Sequence, residues 1–165
     1  MLHYCANRSQ LLLDERAEAS SLTPKNASAA IITVGDKYLL QHRDPIPNIF
    51  YPDHWGLFGG ALEEEESYDT ALQRELKEEL CIEIPIGELS LFTEMSFTLN
   101  FKEGMHFLRK FFHIEITEEK FSQSSLQEGA DMKLFSKEEL FDYPRLTPYD
   151  EFAIWLHISQ NRIKH

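Results

Sequence analysis

Cysteine is scarce in this chain, with Cys5 and Cys81 the only two. Two cysteines make neither a disulfide framework nor a zinc set, and such usage suits a reducing compartment. Positive charge is scarce as well: 16 Lys and Arg stand against 28 Asp and Glu, a net charge of -12. That balance argues against a basic surface that grips phosphates, and so against general nucleic-acid binding. It leaves room for a phosphate substrate, because a metal ion can supply the positive charge. No apolar run approaches the length of a membrane span. The opening MLHYCANRSQLLLDERAEASS has three consecutive Leu followed directly by charges and does not read as a signal peptide. Internal repeats and low-complexity linkers are missing too. The expectation is a soluble cytoplasmic protein whose 165 residues form one domain with a sizeable core.

The remaining pattern is of strands interleaved with helices. Residues 1 to 26 read as an N-terminal extension with a short helix over Leu11 to Glu18, and residues 27 to 165 as the main domain. AAIITV and KYLLQHR flank Gly35-Asp36 and predict a hairpin. DPIPNIFYPDHW is a loop, and WGLFGG runs as a short strand into a glycine turn. Tyr68, Leu72, Leu76 and Leu80 recur at helical spacing, so Ser67 to Leu80 is predicted helical. Ser67 suits the N-cap, although the usual capping-box Glu is missing three residues later. ELSLFTEMSFTLNF and HFLRKFFHIEIT predict two strands, with Phe97, Phe101, Phe107, Phe111 and Phe112 as sheet core. Ser136 to Glu139 is a capping box for a short helix. Thr147-Pro148 opens a last helix, with Phe152, Trp155, Leu156 and Ile163 as its expected buried stripe and Arg162, Lys164 and His165 closing it. The fold class expected is α/β (α+β), a mixed β-sheet covered by helices.

One segment is unusually acidic. GGALEEEESYDTALQRELKEELCI holds seven Glu and one Asp against one Arg and one Lys. On a helix, with Glu75 at zero, Glu78 falls near about 300° and Glu79 near about 40°. The Leu stripe lies beside them, at roughly 60° to 140°. These three acids therefore border the buried side, while Gln73 and Lys77 take the solvent side. Two carboxylates 4 Å apart at an effective dielectric near 20 repel by about 4 kcal/mol. A divalent cation cancels that cost, and oxygen-only ligands suit Mg²⁺ or Mn²⁺ rather than zinc. Arg74, four residues before Glu78, is placed to fix one carboxylate. An acidic helix stabilised by i,i+4 pairs accounts for the periodicity equally well.

Spacing separates the two readings. Gly60, five residues, Glu66, seven residues, Arg74-Glu75-Leu76, one residue, Glu78-Glu79, one residue, Cys81-Ile82 resembles the Nudix box over 23 positions. The one departure is Cys81, where the motif has Gly; Cys81 is expected to be a small buried filler. The order of the flanking segments, through EGADMKLFSKEEL, also resembles a Nudix domain.

That resemblance implies an α/β/α sandwich and Mg²⁺-dependent hydrolysis of a nucleoside diphosphate linked to another group. It implies that Glu75, Glu78, Glu79 and the Gly59 carbonyl hold metal, with Mn²⁺ an alternative ion. It places Glu66 and Arg74 as a brace at the helix start. The general base it implies is either Glu75 or Glu128, with Asp131 and Glu115 as weaker substitutes. Glu63, Glu64 and Glu65 are assigned to solvent. Arg43 is a candidate contact to phosphate or ribose, or else a surface ion pair. Phe50, Tyr51 and Trp55 are candidates to stack on a base, with Trp55 read first as core or a loop anchor. His54 and His106 have no ligand spacing and are taken as structural or surface. Three functions stay open: hydrolysis of a nucleotide-sugar-like diphosphate, sanitising of oxidised nucleoside triphosphates, and nucleotide sensing without turnover. An acidic docking scaffold is the bland alternative. The N-terminal segment is a candidate contact for a homodimer.

Overall fold

The computed structural model describes residues 22–100, 104–142 and 145–163. The expected helix over Leu11 to Glu18, Cys5, Phe101, Lys164 and His165 lie outside the described residues. Six strands form one mixed sheet: β1 (Ala27–Val34), β2 (Lys37–His42), β3 (Trp55–Gly56), β4 (Ser90–Leu99), β5 (Met105–Glu115) and β6 (Asp131–Phe135). The order runs β3-β2-β1-β5-β4, with β6 on β2. Among these strands the β1–β5 pairing is parallel and the other pairings are antiparallel. The helices are α1 (Tyr68–Leu80), α2 (Glu118–Gln123), α3 (Lys137–Asp142) and α4 (Pro148–Ser159). Among the described residues, no helix is long and apolar enough to cross a membrane.

β1 is buried at all eight positions, because both faces of the sheet are covered. Ala30, Ile32 and Val34 point to one face, with Leu39, Phe112 and Ile114, and meet Leu72, Leu76 and Leu80 of α1. Ala29 and Ile31 point to the other, with Tyr38, Leu40 and Phe111, and meet Ala153 and Ile154 of α4. This is the expected sandwich, and the Leu stripe of α1 is fully buried. Phe111 and Phe112 are core, whereas Phe97 and Phe107 stack on each other, half-buried, at 4.8 Å.

Ser67 is the N-cap as expected, and two other local expectations need correction. Ser67 does close a capping box, with Thr70 in place of Glu: the Ser67 N–H donates to Thr70 Oγ1 and the Thr70 N–H to Ser67 Oγ. Cys81 is exposed and left-handed, at φ 56°, as the C-cap of α1. It takes the turn conformation that glycine favours, not a place in the core. The stripe expected on α4 faces outward: Phe152 is 53% exposed, Trp155 45% and Ile163 64%, while Leu156 is half-buried. The rotation of α4 is fixed by polar fastenings. Asp150 accepts from the Leu57 N–H at 3.0 Å and from the Thr147 hydroxyl, and pairs with Arg109 at 3.3 Å. His157 Nδ1 meets the Tyr38 hydroxyl at 2.9 Å. With Asp150 and His157 turned inward, Phe152 and Trp155 are left to stack on each other outside.

Candidate functional site

The site begins where the sheet splits. β1 and β2 pair only through Ile32, Thr33 and Val34, next to the hairpin turn. Beyond those pairs residues 55–61 enter the gap. Trp55 and Gly56 pair with β2, while Phe58 and Ala61 bridge to β1. Ser28 N–H donates to the Gly60 carbonyl and Ala30 N–H to the Phe58 carbonyl, both at 2.9 Å. At Gly59 a side chain does not fit in this gap. Gly59 has φ 126°, and a Cβ there would come within 2.9 Å of Ala29 Cα. A Cβ on Gly60 would run into the Glu75 carboxylate.

α1 crosses beside this wedge. Glu79 faces inward and is 6% exposed. Its Oε2 accepts from the Gly59 N–H at 2.8 Å, and its Oε1 from Gln41 Nε2 at 3.3 Å. Burial pushes the Glu79 carboxyl up to about 8, against the Gly59 bond and with repulsion from Glu75 and Glu128 adding to it. Glu75 is half-buried. Burial raises it too, opposed by Arg74 and reinforced by the charges of Glu78 and Glu128. Glu78 is exposed.

Arg74 organises the outer acids. Its Nε and Nη2 grip Glu66 Oε1 and Oε2, each at 3.0 Å. Nη1 donates to Glu75 Oε1 at 2.9 Å and to Glu78 Oε2 at 3.1 Å, and Nη2 also reaches the Ala61 carbonyl at 3.2 Å. These bonds hold Glu66 below the usual carboxylate range and raise Arg74 above its own. Glu63, Glu64 and Glu65 are exposed.

The loop after α2 closes the site from the other side. Gln127 N–H donates to the Glu79 carbonyl at 2.8 Å, Ser125 N–H to that of Leu80 at 3.0 Å, and Ala130 N–H to that of His42 at 2.8 Å. Glu128, between them, is exposed, and its charge reaches both Glu75 and Glu79. Asp131 turns back onto the Met132 N–H. Glu115 pairs with Thr33, four residues along β1 from Ala29, against which Gly59 packs, or about 13 Å away along the strand.

The candidate substrate contacts have packing partners of their own. Arg43 Nε donates to the Phe50 carbonyl at 2.8 Å, closing its own loop. Tyr51 meets His54 and Tyr149 edge-on. Trp55 stacks on His42 at 4.8 Å and meets Phe135 edge-on, packed on the α4 side of the sheet. His54 is buried, and His106 is exposed beside Ser96 and Thr98. A groove of about 710 Å³ runs along the outer side of α1 and touches the acids only through Glu78.

Sequence reasoning passed over Gln41. The signal was present: Gln41 follows Leu39 on the α1-facing side of β2, and a polar side chain there interrupts an apolar face.

Among the described residues, no three His, Cys, Asp or Glu side chains converge into a ready metal cage. Glu75 and Glu78 are turned to Arg74 instead. The donor set still fits a hard divalent cation. It consists of carboxylates and a carbonyl, without His or Cys, and Glu75, Glu79 and Glu128 repel one another in a partly dry setting.

A family model described as the NUDIX domain matches residues 23–156. No curated protein matches the chain significantly. Among solved structures, the ORF135 protein of E. coli is 25% identical, with a TM-score of 0.64, over 82% of this chain and 89% of that one. A MutT NUDIX hydrolase from Burkholderia pseudomallei is 23% identical, with a TM-score of 0.61, over 80% and 96%. A bifunctional NMN adenylyltransferase/ADP ribose pyrophosphatase from Francisella tularensis, in complex with AMP and a Mn ion, is 20% identical, with a TM-score of 0.62, over 96% of this chain and 46% of that one.

Proposed function

The chain belongs to the Nudix family and is a Nudix pyrophosphohydrolase, and from that premise we propose that it uses Mg²⁺ to cleave a nucleoside diphosphate linked to a second group, with nucleotide sugars as the leading substrate class. The observation that carries this reading is the buried Glu79 carboxylate, repelled by Glu75 and Glu128 and standing at the glycine wedge. A buried carboxylate among like charges is costly unless a cation joins it.

Glu75, Glu78, Glu79 and the Gly59 carbonyl would hold the ion, with Mn²⁺ as a substitute. Held there, the ion would supply charge neutralisation to diphosphate oxygens and lower the pKa of a water. Arg74 keeps its bidentate partner Glu66 whatever Glu75 and Glu78 do, so the start of α1 stays braced. Glu128, on an exposed loop facing the acids, takes the proton from the attacking water; Glu75 is the alternative base. Gly59 and Gly60 put no side chain at their two positions of the wedge, so the substrate's diphosphate can approach backbone there. The Francisella neighbour supports the substrate class, since its name includes ADP ribose pyrophosphatase and it binds AMP with Mn.

The test is turnover on a panel of nucleotide sugars, ADP-ribose, dinucleoside polyphosphates, NADH, CoA, and canonical and oxidised triphosphates, with and without Mg²⁺. Products are identified by mass spectrometry. Mg²⁺-dependent cleavage of a linked diphosphate is expected. Preference for oxidised triphosphates would move the protein to the sanitising class. Folded protein that binds metal and cleaves nothing would point to a sensor.

A further inference from the structure

Gln41 has no assigned part in this site, yet two of the site's elements meet on it. The residue is 4% exposed and points into the α1 side of the sheet, where Leu39, its neighbour on that face, is core. Its amide nitrogen has two N–H groups, and each has an acceptor. One donates to Glu79 Oε1 at 3.3 Å, the other to the Glu128 backbone carbonyl at 2.9 Å. Glu79 therefore has a donor on each oxygen, from opposite sides of the split sheet: Gly59 on Oε2 and Gln41 on Oε1. The carboxylate cannot turn without losing one of them.

The loop that carries Glu128 is seated on the same side chain. Gly129 has φ 91°, and a Cβ there would lie 2.8 Å from Gln41 Cγ and 2.9 Å from the His42 carbonyl. The turn thus lies flat on Gln41, and the neighbouring bond from the Ala130 N–H to His42 keeps it there. A side chain of the same size without donors would leave Glu79 Oε1 and the Glu128 carbonyl both unmet by protein, at the point where helix and loop must agree in position.

We propose that Gln41 is a positioning residue whose amide holds the Glu79 carboxylate and the Glu128 loop in one register, so that both acids address the same cation and the same water. The inference rests on the Mg²⁺-hydrolase reading above. Groups one bond behind metal ligands are those whose loss lowers metal affinity or activity by about 10–100-fold without removing a ligand.

The test compares wild type, Gln41→Met, Gln41→Asn and Leu40→Val as full-length chains. Leu40 is fully buried on the opposite face of β2, so its truncation reports loss of packing alone. Two quantities are read: the Mg²⁺ concentration that gives half the Mg²⁺-induced rise in Tm, and kcat and KM on the best substrate of the panel. Gln41→Met is expected to raise the Mg²⁺ midpoint and lower kcat, each by about tenfold or more, with KM nearly unchanged. Gln41→Asn, whose shorter amide cannot span both acceptors, shows the same direction and serves if the Met variant does not fold. Leu40→Val lowers Tm and leaves the Mg²⁺ midpoint in place. A folded Gln41 variant with wild-type Mg²⁺ midpoint and kcat overturns the inference while the hydrolase reading stands. Wild type that shows neither a Mg²⁺-induced Tm rise nor turnover overturns both.

Discussion

Arg74 and Glu66 face each other through two parallel bonds, Nε to Oε1 and Nη2 to Oε2, each 3.0 Å. The pair fastens the loop before α1 to the body of the helix, eight residues on. The same guanidinium also reaches Glu75 and Glu78, so one side chain sets the position of three carboxylates. A fork of this geometry has no lysine equivalent. Arg74→Lys is therefore expected to keep the net charge and still lose about 10–100-fold in kcat. Steady-state kinetics at saturating Mg²⁺, with circular dichroism to confirm folding, checks it. A Lys variant with wild-type kcat would remove the brace from the account.

Cys81 holds φ 56° as an exposed C-cap, with its N–H directed to the Leu76 and Lys77 carbonyls. A non-glycine residue is strained there, and the thiol has no packing role to offset the cost. Cys81→Gly is expected to stabilise the protein by about 0.5–1 kcal/mol in urea denaturation, after the added chain entropy of glycine is subtracted. Turnover should not change.

His157 gives the fold a pH dependence away from the acids. Burial pushes its imidazole down to about 4, and the charges of His113 and Lys137 push the same way. His113 is lowered too, chiefly by burial, with Glu115 opposing. A histidine whose folded pKa lies below its unfolded value is protonated first in the unfolded chain. Stability is therefore complete above about pH 6.5 and falls as pH drops toward 4. His157→Gln should flatten that decline, seen by urea denaturation at pH 7.5 and 5. An equal decline in both proteins would show that His157 does not carry it.

How much the sequence disclosed depended on the kind of interaction. Leu72, Leu76 and Leu80 gave α1 correctly because apolar burial repeats with the helix turn and needs no distant partner. Glu66 and Arg74 could be paired on motif spacing, and the structure places them in contact. The facing of α4 was not legible. Its rotation is set by Leu57, Thr147 and Tyr38, whose partners Asp150 and His157 look like solvent residues in a local window. Cys81 was misjudged because helix periodicity continues past the point where the chain turns left-handed. α2 and the contacts of Gln41 were missed for two further reasons: Glu118 to Gln123 has no buried apolar period, and the partners of Gln41 lie 38 and 87 positions away.

The most direct test of the central claim is turnover by Glu79→Gln on the best substrate at saturating Mg²⁺. The substitution keeps the shape of the side chain and removes its capacity to ionise beside a cation. The variant should fold, with Tm in EDTA near that of wild type at neutral pH, because burial pushes the wild-type carboxyl up to about 8 and keeps it largely protonated there, and should lose nearly all turnover, on the order of 10³-fold or more. A folded Glu79→Gln protein that turns over at the wild-type rate would contradict the placement of the cation, and with it the mechanism proposed here.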